Sequence, residues 1–519
     1  MKYSLLRARE YENELSRKIP EEERPVFHLT PCVGWMNDPN GFSYYKGEYH
    51  LFYQYNPYDT AWDSMHWGHA VSRDMLHWRH LPAAMAPDHL YDSFGVFSGS
   101  AIETPDGKHL LMYTGVRKEN GADIQTQCIA HGRGQNYRKY SLNPVLDERD
   151  LPEGMTRNNF RDPKIWQEAD GSYRCVIGAC RENRLGSILL YSSADGYRWH
   201  FESVLAENDG SFGRMWECPD FFELDGKAVL LVSPQDMLPK GHEYHSGNGT
   251  VCMIGELDAE RRHFSYTHDQ AVDYGIDFYA PTTQLLPDGR RVMIGWMQNW
   301  DTVPLPDRVE HLWFGQMSIP RELSIRDGRL VQKPVRELEA FRKNRMEYRG
   351  IDVNGEITLP GIRGRCAELF VKIRPADPEK LFQKFTLFFA KNENYWTSIS
   401  FRPYESTVKI DRKFSGMRRA VIHQRRCLME GTGGELSMHV IIDRYSVEAF
   451  LNDGEKVMTA TFFTDLAADG ISFSASGDAV MDVVFYDFFL NDIGASASRR
   501  TRSGAARGRK TETAAGAEL

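Results

Sequence analysis

The sequence lacks any apolar run long enough to cross a membrane, and it lacks a long stretch with helical periodicity. Residues 1–25 are highly charged and have no apolar centre of the kind that a secretory signal needs. These absences argue against a secreted or membrane-bound protein, so we expect a cytoplasmic chain without a membrane partner. The net charge of -9 also gives no reason to expect nucleic acid as a partner.

Metal and redox spacings are missing as well. The eight cysteines are scattered, without the close pairs of a metal site or a dithiol motif. In a reducing compartment such residues are expected to be free thiols rather than disulfides. His66 and His69 stand three residues apart in a predicted strand, which turns their side chains to opposite faces. We therefore predict no metal site.

The sequence does contain a repeat, in which a turn glycine precedes a short apolar strand. The glycines are Gly47, Gly107, Gly171, Gly226 and Gly289, separated by 60, 64, 55 and 63 positions. A spacing of roughly 60 residues is enough for one four-stranded blade, and blades arranged around an axis form a propeller. We therefore predict an all-β fold that begins with a five-bladed β-propeller.

Nine positions before each glycine, the repeat places one residue near the start of the predicted innermost strand. These residues are Asp38, Ser98, Asp162, Glu217 and Ala280. The innermost strands of a propeller start around its axis, so side chains far apart in sequence are expected to meet there. Three of the five are carboxylates, which predicts an acidic site at the mouth of the central channel.

The length of 519 residues exceeds what one core usually supports, which predicts two domains. We expect an N-terminal extension (1–27), the propeller (28–334), a short helical linker (335–349), a β-sandwich (350–492) and a disordered basic tail (493–519). The sandwich is predicted from alternating strands at 367–373, 384–390, 396–401, 436–443, 446–450 and 483–489. Its expected role is to brace the propeller, and the oligomeric state stays open.

Carboxylates at one channel mouth repel one another, so at least one should have a raised pKa. Cleavage of a glycosidic bond needs such a set, with one group ionised and another protonated. Aromatic rings that can stack on a sugar, Trp35 and Trp300 among them, are concentrated in the nearby loops, beside polar side chains that can bond its hydroxyls. The predicted substrate-binding residues are Asn37, Gln54, Trp62, Phe97, Ser98, Arg161, Tyr279 and Trp296.

The segments around the carboxylates resemble glycoside hydrolase family 32, the invertase, inulinase and levanase group. The likeness is carried by Trp35-Met36-Asn37-Asp38-Pro39-Asn40-Gly41, Arg161-Asp162-Pro163 and Glu217-Cys218-Pro219, in the family's order. Phe97-Ser98-Gly99-Ser100 and Asp277-Phe278-Tyr279-Ala280 extend it across the first domain, and Ser446-Val447-Glu448-Ala449-Phe450 extends it into the second. One acidic motif alone is a weak signal, whereas three in register are a strong one.

The resemblance implies a retaining β-fructofuranosidase that needs no metal or organic cofactor. Asp38 would be the nucleophile at the anomeric C2 of a fructofuranosyl unit, and Glu217 would act as acid and then as base. Asp162 would hold fructose hydroxyls and stabilise the transition state. We also expect backbone N–H groups to keep Asp38 ionised and Arg161 to keep Asp162 charged. Asp63 stands where many members have Gly or Asn, in a loop expected to border the leaving group.

Small-molecule sugars are the expected partners: sucrose, sucrose 6-phosphate or short fructo-oligosaccharides. The alternatives are hydrolysis of inulin or levan, and transfer of the fructosyl group to another sugar on the same scaffold. A phosphorylated substrate would need a basic pocket near the leaving group. A non-catalytic fructan-binding protein is the least favoured hypothesis, because all three carboxylates are present.

Overall fold

The computed structural model describes residues 4–301, 312–416 and 422–488. Within these ranges the one α-helix is α1 (Leu5–Leu15), whose N-terminus is capped by the Ser4 side chain accepting from the Arg7 amide at 3.3 Å. The buried Glu12 of α1 accepts from the Ala83 amide at 3.0 Å, which attaches the N-terminal extension to the first blade.

The described 3-10 helices are Ser16–Lys18, Glu21–Glu23, Leu90–Asp92, Glu148–Asp150, Arg336–Phe341 and Pro403–Glu405. No helix in the described ranges is long and apolar enough to span a membrane.

Five antiparallel sheets follow one another as propeller blades. Blade 1 contains β1 (Gly34–Tyr45), β2 (Glu48–Asn56), β3 (His66–Ser72) and β4 (Arg79–Met85). Blade 2 contains β5 (Gly95–Glu103), β6 (His109–Glu119), β7 (Ala122–Gly132) and β8 (Tyr137–Lys139). Blade 3 contains β9 (Met155–Gln167), β10 (Tyr173–Arg181), β11 (Gly186–Ser193) and β12 (His200–Glu207). Blade 4 contains β13 (Trp216–Leu224), β14 (Lys227–Pro234), β15 (Val251–Leu257) and β16 (Phe264–Ala271).

Blade 5 closes the ring. It contains β17 (Tyr279–Leu285), β18 (Arg291–Trp296), β20 (Arg321–Arg326) and β21 (Arg329–Pro334), and the intervening β19 (Trp313–Phe314) pairs in parallel with β1. Each turn glycine lies between the first two strands of its blade, and all five have φ between 70° and 87°. Lys46 and Asp225 also have positive φ, so they form with the following glycine the two-residue turns that suit a twisted hairpin. The predicted five-bladed propeller is confirmed.

The innermost strand of every blade is irregular at the position that the repeat singles out or, in blade 4, directly after it. Its pairing with the second strand is interrupted at residues 37–38, 98, 162–163, 218–219 and 280–281. Asp162, Cys218 and Ala280 have φ of 66°, 47° and 50°, a region that residues with a side chain rarely adopt. A proline, which cannot donate to the ladder, follows each of these three. Because a bulge re-aims the side chains it contains, the same irregularity in five blades turns them toward the axis.

The second domain is a β-sandwich whose two layers share long strands. Its strands are β22 (Arg342–Ile357), β23 (Ala367–Pro375), β24 (Lys384–Lys391), β25 (Thr397–Arg402), β26 (Thr407–Asp411), β27 (Gln424–Leu428), β28 (Leu436–Asp443), β29 (Ser446–Leu451), β30 (Lys456–Thr461) and β31 (Gly470–Phe488). The first part of β31 pairs with β24 and its second part with β23, while β22 accompanies both parts. Apolar side chains from β23 to β31 share one buried core. The predicted C-terminal sandwich is confirmed.

A buried polar network joins the two domains. The fully buried Arg321 of β20 bonds Glu448 of β29 at 2.6 Å and Asp273 at 3.0 Å. His28 lies between Asp443 at 2.8 Å and Glu448 at 3.0 Å. Burial alone would lower the pKa of His28, but its bonds to these two carboxylates raise the pKa to about 9. Each buried charge thus has an opposite partner, which is the condition for tolerating charges at such an interface.

The helical part of the linker between the two domains is shorter than predicted. The helical linker expected over 335–349 is a 3-10 helix, Arg336–Phe341, and β22 then begins at Arg342. The sequence did not indicate β22 because one face of this strand is largely exposed and carries charged residues, so apolar alternation is weak there. The basic tail predicted as disordered over 493–519 lies outside the described residues.

Candidate active site

Asp38, Asp162 and Glu217 lie on the innermost strands of blades 1, 3 and 4, and all three line one cavity. The volume of this cavity is about 410 Å3, which is within the range of small-molecule sites. It lies at the end of the propeller where the innermost strands begin. The bulges described above thus lie at Asp38 and Asp162 and directly after Glu217, where these three carboxylates, distant in sequence, come together.

The two carboxylate oxygens of Asp38 have different surroundings. Oδ2 accepts a hydrogen bond from Ser98 Oγ at 3.1 Å and lies 3.5 Å from Cys218 Sγ, whereas Oδ1 is buried. Burial, followed by the charges of Glu217 and Asp162, raises the pKa of Asp38 to about 7. The expectation of a raised carboxylate pKa is confirmed. The expectation that backbone N–H groups keep Asp38 ionised is wrong, because its hydrogen bonds come from side chains and burial dominates.

Both carboxylate oxygens of Glu217 make hydrogen bonds to neighbouring side chains. Oε1 accepts from Arg161 Nε at 3.2 Å and from Arg161 Nη2 at 3.1 Å. Oε2 lies 2.6 Å from the hydroxyl of Tyr279. Such paired, charge-assisted bonds fix the plane of a carboxylate as well as its position. Glu217 is therefore oriented from blade 3 and from blade 5 at once.

Asp162 is fixed by backbone contacts. Its Oδ2 accepts from the Cys218 amide at 2.9 Å, and its own amide donates to Thr114 Oγ at 2.9 Å. Burial raises the pKa of Asp162 to about 6, although the charge of Arg161 opposes the rise. Arg161 Nε is 3.9 Å from Asp162 Oδ2, too far for a hydrogen bond. Arg161 thus favours the charged form of Asp162, as expected, but its Nε and Nη2 donate to Glu217 and its Nη1 donates to Asn159.

Most of the predicted substrate-binding residues line the cavity. They are Asn37, Gln54, Trp62, Phe97, Ser98 and Arg161. The Trp62 and Phe97 rings meet edge to face at 6.0 Å between centroids, and Trp62 is 38% exposed, so its face is open to a ligand at the rim. Asp63 turns outward, where its carboxylate caps the Ser64 amide at 2.7 Å.

Two predicted substrate-binding residues, Tyr279 and Trp296, do not reach the cavity. Both are 0% exposed. The Trp296 ring packs behind Trp35 and Trp300, at 5.8 and 5.0 Å between centroids. The hydroxyl of Tyr279 contacts Glu217, so this residue supports a carboxylate instead of touching a sugar. Sequence proximity to the axis did not distinguish the cavity wall from the layer behind it.

Three lining residues were missed by sequence reasoning: Gln235, Asp236 and Asn248. They lie in the loop from β14 to β15. Because neighbouring strands run antiparallel, the second strand of each blade ends where the first begins, so this loop opens on the cavity. The same topology places Trp62 and Trp300 there, after β2 and β18. Extending the repeat to the ends of the second strands would have found them.

Beneath the carboxylates the central channel is almost closed. Residues from all five bulges surround a space of about 20 Å3, enough for about one water molecule. Lys164 crosses this region, with Nζ bonded to Asp220 at 2.8 Å and to the Thr283 carbonyl at 2.6 Å. The cavity therefore has a sealed floor and opens away from it.

Comparison with known proteins places this architecture. Residues 28–334 match the N-terminal domain model of the glycosyl hydrolases family 32, and residues 337–487 match the C-terminal model of that family. The chain belongs to glycosyl hydrolase family 32. As a family 32 member it is a glycoside hydrolase acting on β-fructosides, in agreement with the sequence-based prediction.

Relatives within family 32 cover nearly the whole chain. The raffinose invertase of Escherichia coli is 35% identical over 500 residues, covering 93% of this chain and 98% of the relative. A sucrose-6-phosphate hydrolase of Escherichia coli is 36% identical over 470 residues, covering 88% and 93%. Among solved structures, the Bombyx mori β-fructofuranosidase BmSUC1 is 35% identical with a TM-score of 0.79, covering 93% of this chain and 97% of its own, and a variant of it was solved with sucrose.

The pKa of Asp38 leads to a prediction about stability. Asp38 ionises near pH 3.8 in an unfolded chain but near pH 7 in the folded protein. The proton on Asp38 therefore stabilises the folded protein at low pH, and this contribution to the free energy of unfolding is lost as pH rises through 7. The Asp38→Asn side chain does not ionise, so the variant does not lose this contribution at high pH. We expect it to be more stable than the wild type by at least about 1 kcal/mol at pH 8, since one pKa unit corresponds to about 1.4 kcal/mol, and by clearly less at pH 5. Denaturant unfolding at both pH values measures this, and an equal or lower stability of the variant at pH 8 would contradict it.

Proposed function

We propose that this protein is a retaining β-fructofuranosidase that hydrolyses unphosphorylated β-fructosides such as sucrose by double displacement. The observation that carries the proposal is that the side chains of Asp38, Asp162 and Glu217 line one cavity of small-molecule size. The carboxylate of Asp38 can act there as the nucleophile, and the hydrogen bond from Ser98 Oγ to Oδ2 holds it in place.

In the first step a carboxylate oxygen of Asp38 attacks C2 of the fructosyl unit. The bond from C2 to the leaving oxygen breaks, and Glu217 donates its proton to that oxygen. In the second step Glu217 takes a proton from water, the water oxygen bonds to C2, and the bond from C2 to the Asp38 oxygen breaks. Two inversions at C2 give net retention. Asp162 accepts hydrogen bonds from fructose hydroxyls and stabilises the positive charge that develops on the ring.

The charges of the cavity favour a neutral substrate over a phosphorylated one. Among the described lining residues Arg161 is the one cation, and it already donates to Glu217 and Asn159. Asp236 adds a largely exposed carboxylate to the lining, and the half-exposed Arg214 lies 3.8 Å from it. A phosphate dianion on the glucose unit would face the carboxylates of the cavity, and Arg214 beside it is already paired with Asp236.

A substrate panel tests this preference. We expect kcat/KM for sucrose to exceed that for sucrose 6-phosphate at least tenfold, and raffinose to be hydrolysed as well. Inulin and levan test the alternative, since their chains would have to extend out of the mouth of the cavity while the terminal fructosyl unit is bound. Asp236→Asn should raise kcat/KM for sucrose 6-phosphate more than for sucrose. A preference for the phosphorylated substrate, or high activity on the polymers, would favour the alternatives, and transfer products at high sucrose would indicate transfructosylation.

A further inference from the structure

A propeller loop, residues 272–278, runs along the edge strand β30 of the sandwich. The amides of Tyr274 and Ile276 donate to the carbonyls of Val457 and Thr459 at 2.8 and 2.7 Å. A Cβ on Gly275 would lie 2.0 Å from the Thr459 nitrogen, so the two backbones are in direct contact. The loop therefore extends the sandwich sheet immediately before the chain enters blade 5.

Asp277 anchors the end of this loop to the sandwich. Its Oδ2 accepts from Arg412 Nη1 at 2.5 Å, from the Thr461 amide at 2.7 Å and from Thr461 Oγ at 2.8 Å. All three residues are 0% exposed. The guanidinium of Arg412 is itself fixed, since it also donates to the carbonyls of Ile422 and Thr461. Buried, charge-assisted bonds of this kind hold a backbone segment firmly.

Tyr279, two residues further on, reaches Glu217. Its hydroxyl lies 2.6 Å from Glu217 Oε2 and 3.1 Å from the Ser233 carbonyl oxygen. The Ala280 amide donates to Ser233 Oγ at 3.1 Å, which fixes the other end of the segment. The segment from Asp277 to Ala280 is thus held by the sandwich on one side and by blade 4 on the other.

The hydroxyl of Tyr279 has one proton and two acceptors. When Glu217 is ionised, the hydroxyl donates to Oε2. When Glu217 is protonated, the carboxyl donates to the hydroxyl oxygen, and the hydroxyl donates to the Ser233 carbonyl. The hydroxyl therefore makes a hydrogen bond with Glu217 in both states, so the proton can leave and return without breaking this contact.

We propose that Arg412 and Thr461 of the sandwich are positioning residues for the acid and base steps. By fixing Asp277 they hold the Tyr279 hydroxyl where it bonds Glu217 in both of its protonation states. This inference rests on the proposed role of Glu217, and it gives the sandwich a part in the reaction beyond bracing the propeller. The other groups facing Glu217 are Arg161, Asp162, Asp38 and the Cys218 thiol, whereas Asp277 faces Arg412 and, further away, Arg425.

The proposal is tested by comparing kcat/KM for two substrates with different leaving groups, sucrose and an aryl β-fructofuranoside. Tyr279→Phe and Arg412→Met should each lower kcat/KM for sucrose about tenfold, a fraction of the 10²–10⁴ that a general acid supplies. For an aryl β-fructofuranoside, whose leaving oxygen needs little protonation, the loss should stay below about twofold. Since a donor to the ionised carboxylate is lost, the descending limb of kcat/KM against pH should move to higher pH. Thr461→Val, which keeps the backbone amide, is the milder variant if Arg412→Met folds poorly, with a loss of about threefold expected.

Arg342→Met is the matched control. Arg342 also pairs with a fully buried sandwich carboxylate, Glu368, but has no described contact with the 272–278 loop. It should leave the ratio of the two substrates and the pH limb unchanged. In the double variant of Arg412→Met and Tyr279→Phe the effects should not add, since one residue acts through the other.

These experiments distinguish failure of the proposed role of Arg412 from failure of the proposed function. Equal losses on both substrates, an unmoved pH limb, or additive effects in the double variant would overturn the role of Arg412 while leaving Glu217 as acid and base. A wild-type protein inactive on β-fructosides, or a fully active Glu217→Ala variant, would overturn the proposed function itself.

Discussion

Replacing Asp38 with asparagine is expected to lower kcat for sucrose by about 10⁴-fold or more, with little change in KM. The amide has the shape of the carboxylate and can keep the contact with Ser98, but its oxygen cannot form the bond to C2. Steady-state kinetics of the purified variant measure the loss. In the wild type, rapid quenching and intact-mass analysis should show a fraction of the enzyme carrying one fructosyl unit, and this species should be absent from the variant.

Asp220→Asn is the control for this experiment. Asp220 is a buried carboxylate of the same propeller axis, but Lys164 and Thr283 bind it at 2.8 and 2.5 Å beneath the floor of the cavity. The variant should lose stability while its folded fraction keeps kcat within about threefold, as expected for a residue remote from the reacting atoms. More than about a tenth of the wild-type kcat in Asp38→Asn would reject Asp38 as the nucleophile.

Glu217→Ala is expected to lower kcat/KM for sucrose about 10³-fold, because the glucose oxygen then leaves without a proton. An aryl fructoside should still form the fructosyl-enzyme, and its hydrolysis should then stall for lack of a base. Azide needs no base, so adding it should restore turnover and yield a fructosyl azide with retained configuration at C2. Product analysis by NMR decides the configuration.

Two results would contradict this assignment. Failure of azide to accelerate the aryl substrate would indicate that Glu217 is not the base, and an azide product of inverted configuration would exclude a covalent intermediate. Glu217→Gln is a useful companion, because it keeps the acceptor for Arg161 but cannot donate a proton in the same way. It should match Glu217→Ala on sucrose, which separates loss of the acid from loss of the contact with Arg161.

The positions of the three carboxylates could be predicted from the sequence because the propeller repeats. A turn glycine with positive φ marks each first hairpin, and counting back from Gly47, Gly171 and Gly226 reaches Asp38, Asp162 and Glu217. The sandwich strands with apolar alternation were likewise recognisable, for example β28 and β29. Local chemistry was enough for these elements, since turns and alternating burial leave short-range signals.

The partners of those carboxylates could not be predicted, because they depend on contacts between blades. Arg161 precedes Asp162 in sequence, yet it bonds Glu217 of the next blade. Tyr279 carries the amphipathic character of a sugar-binding ring, but it is buried behind the wall. Desolvation, which sets the pKa of Asp38, is a property of the assembled cavity and not of the Asp38-Pro39 turn.

The sealed floor beneath Asp38 also dictates an order of events. Fructose held against the floor cannot depart downward, so glucose, nearer the mouth, must diffuse out before fructose can follow. Within the described part of the chain, the space that glucose leaves is the entrance for the second reactant, and the hydroxyl compound that fills it receives the fructosyl unit. A high sugar concentration would therefore increase oligosaccharide synthesis at the expense of hydrolysis. Free glucose would compete with water for the fructosyl-enzyme.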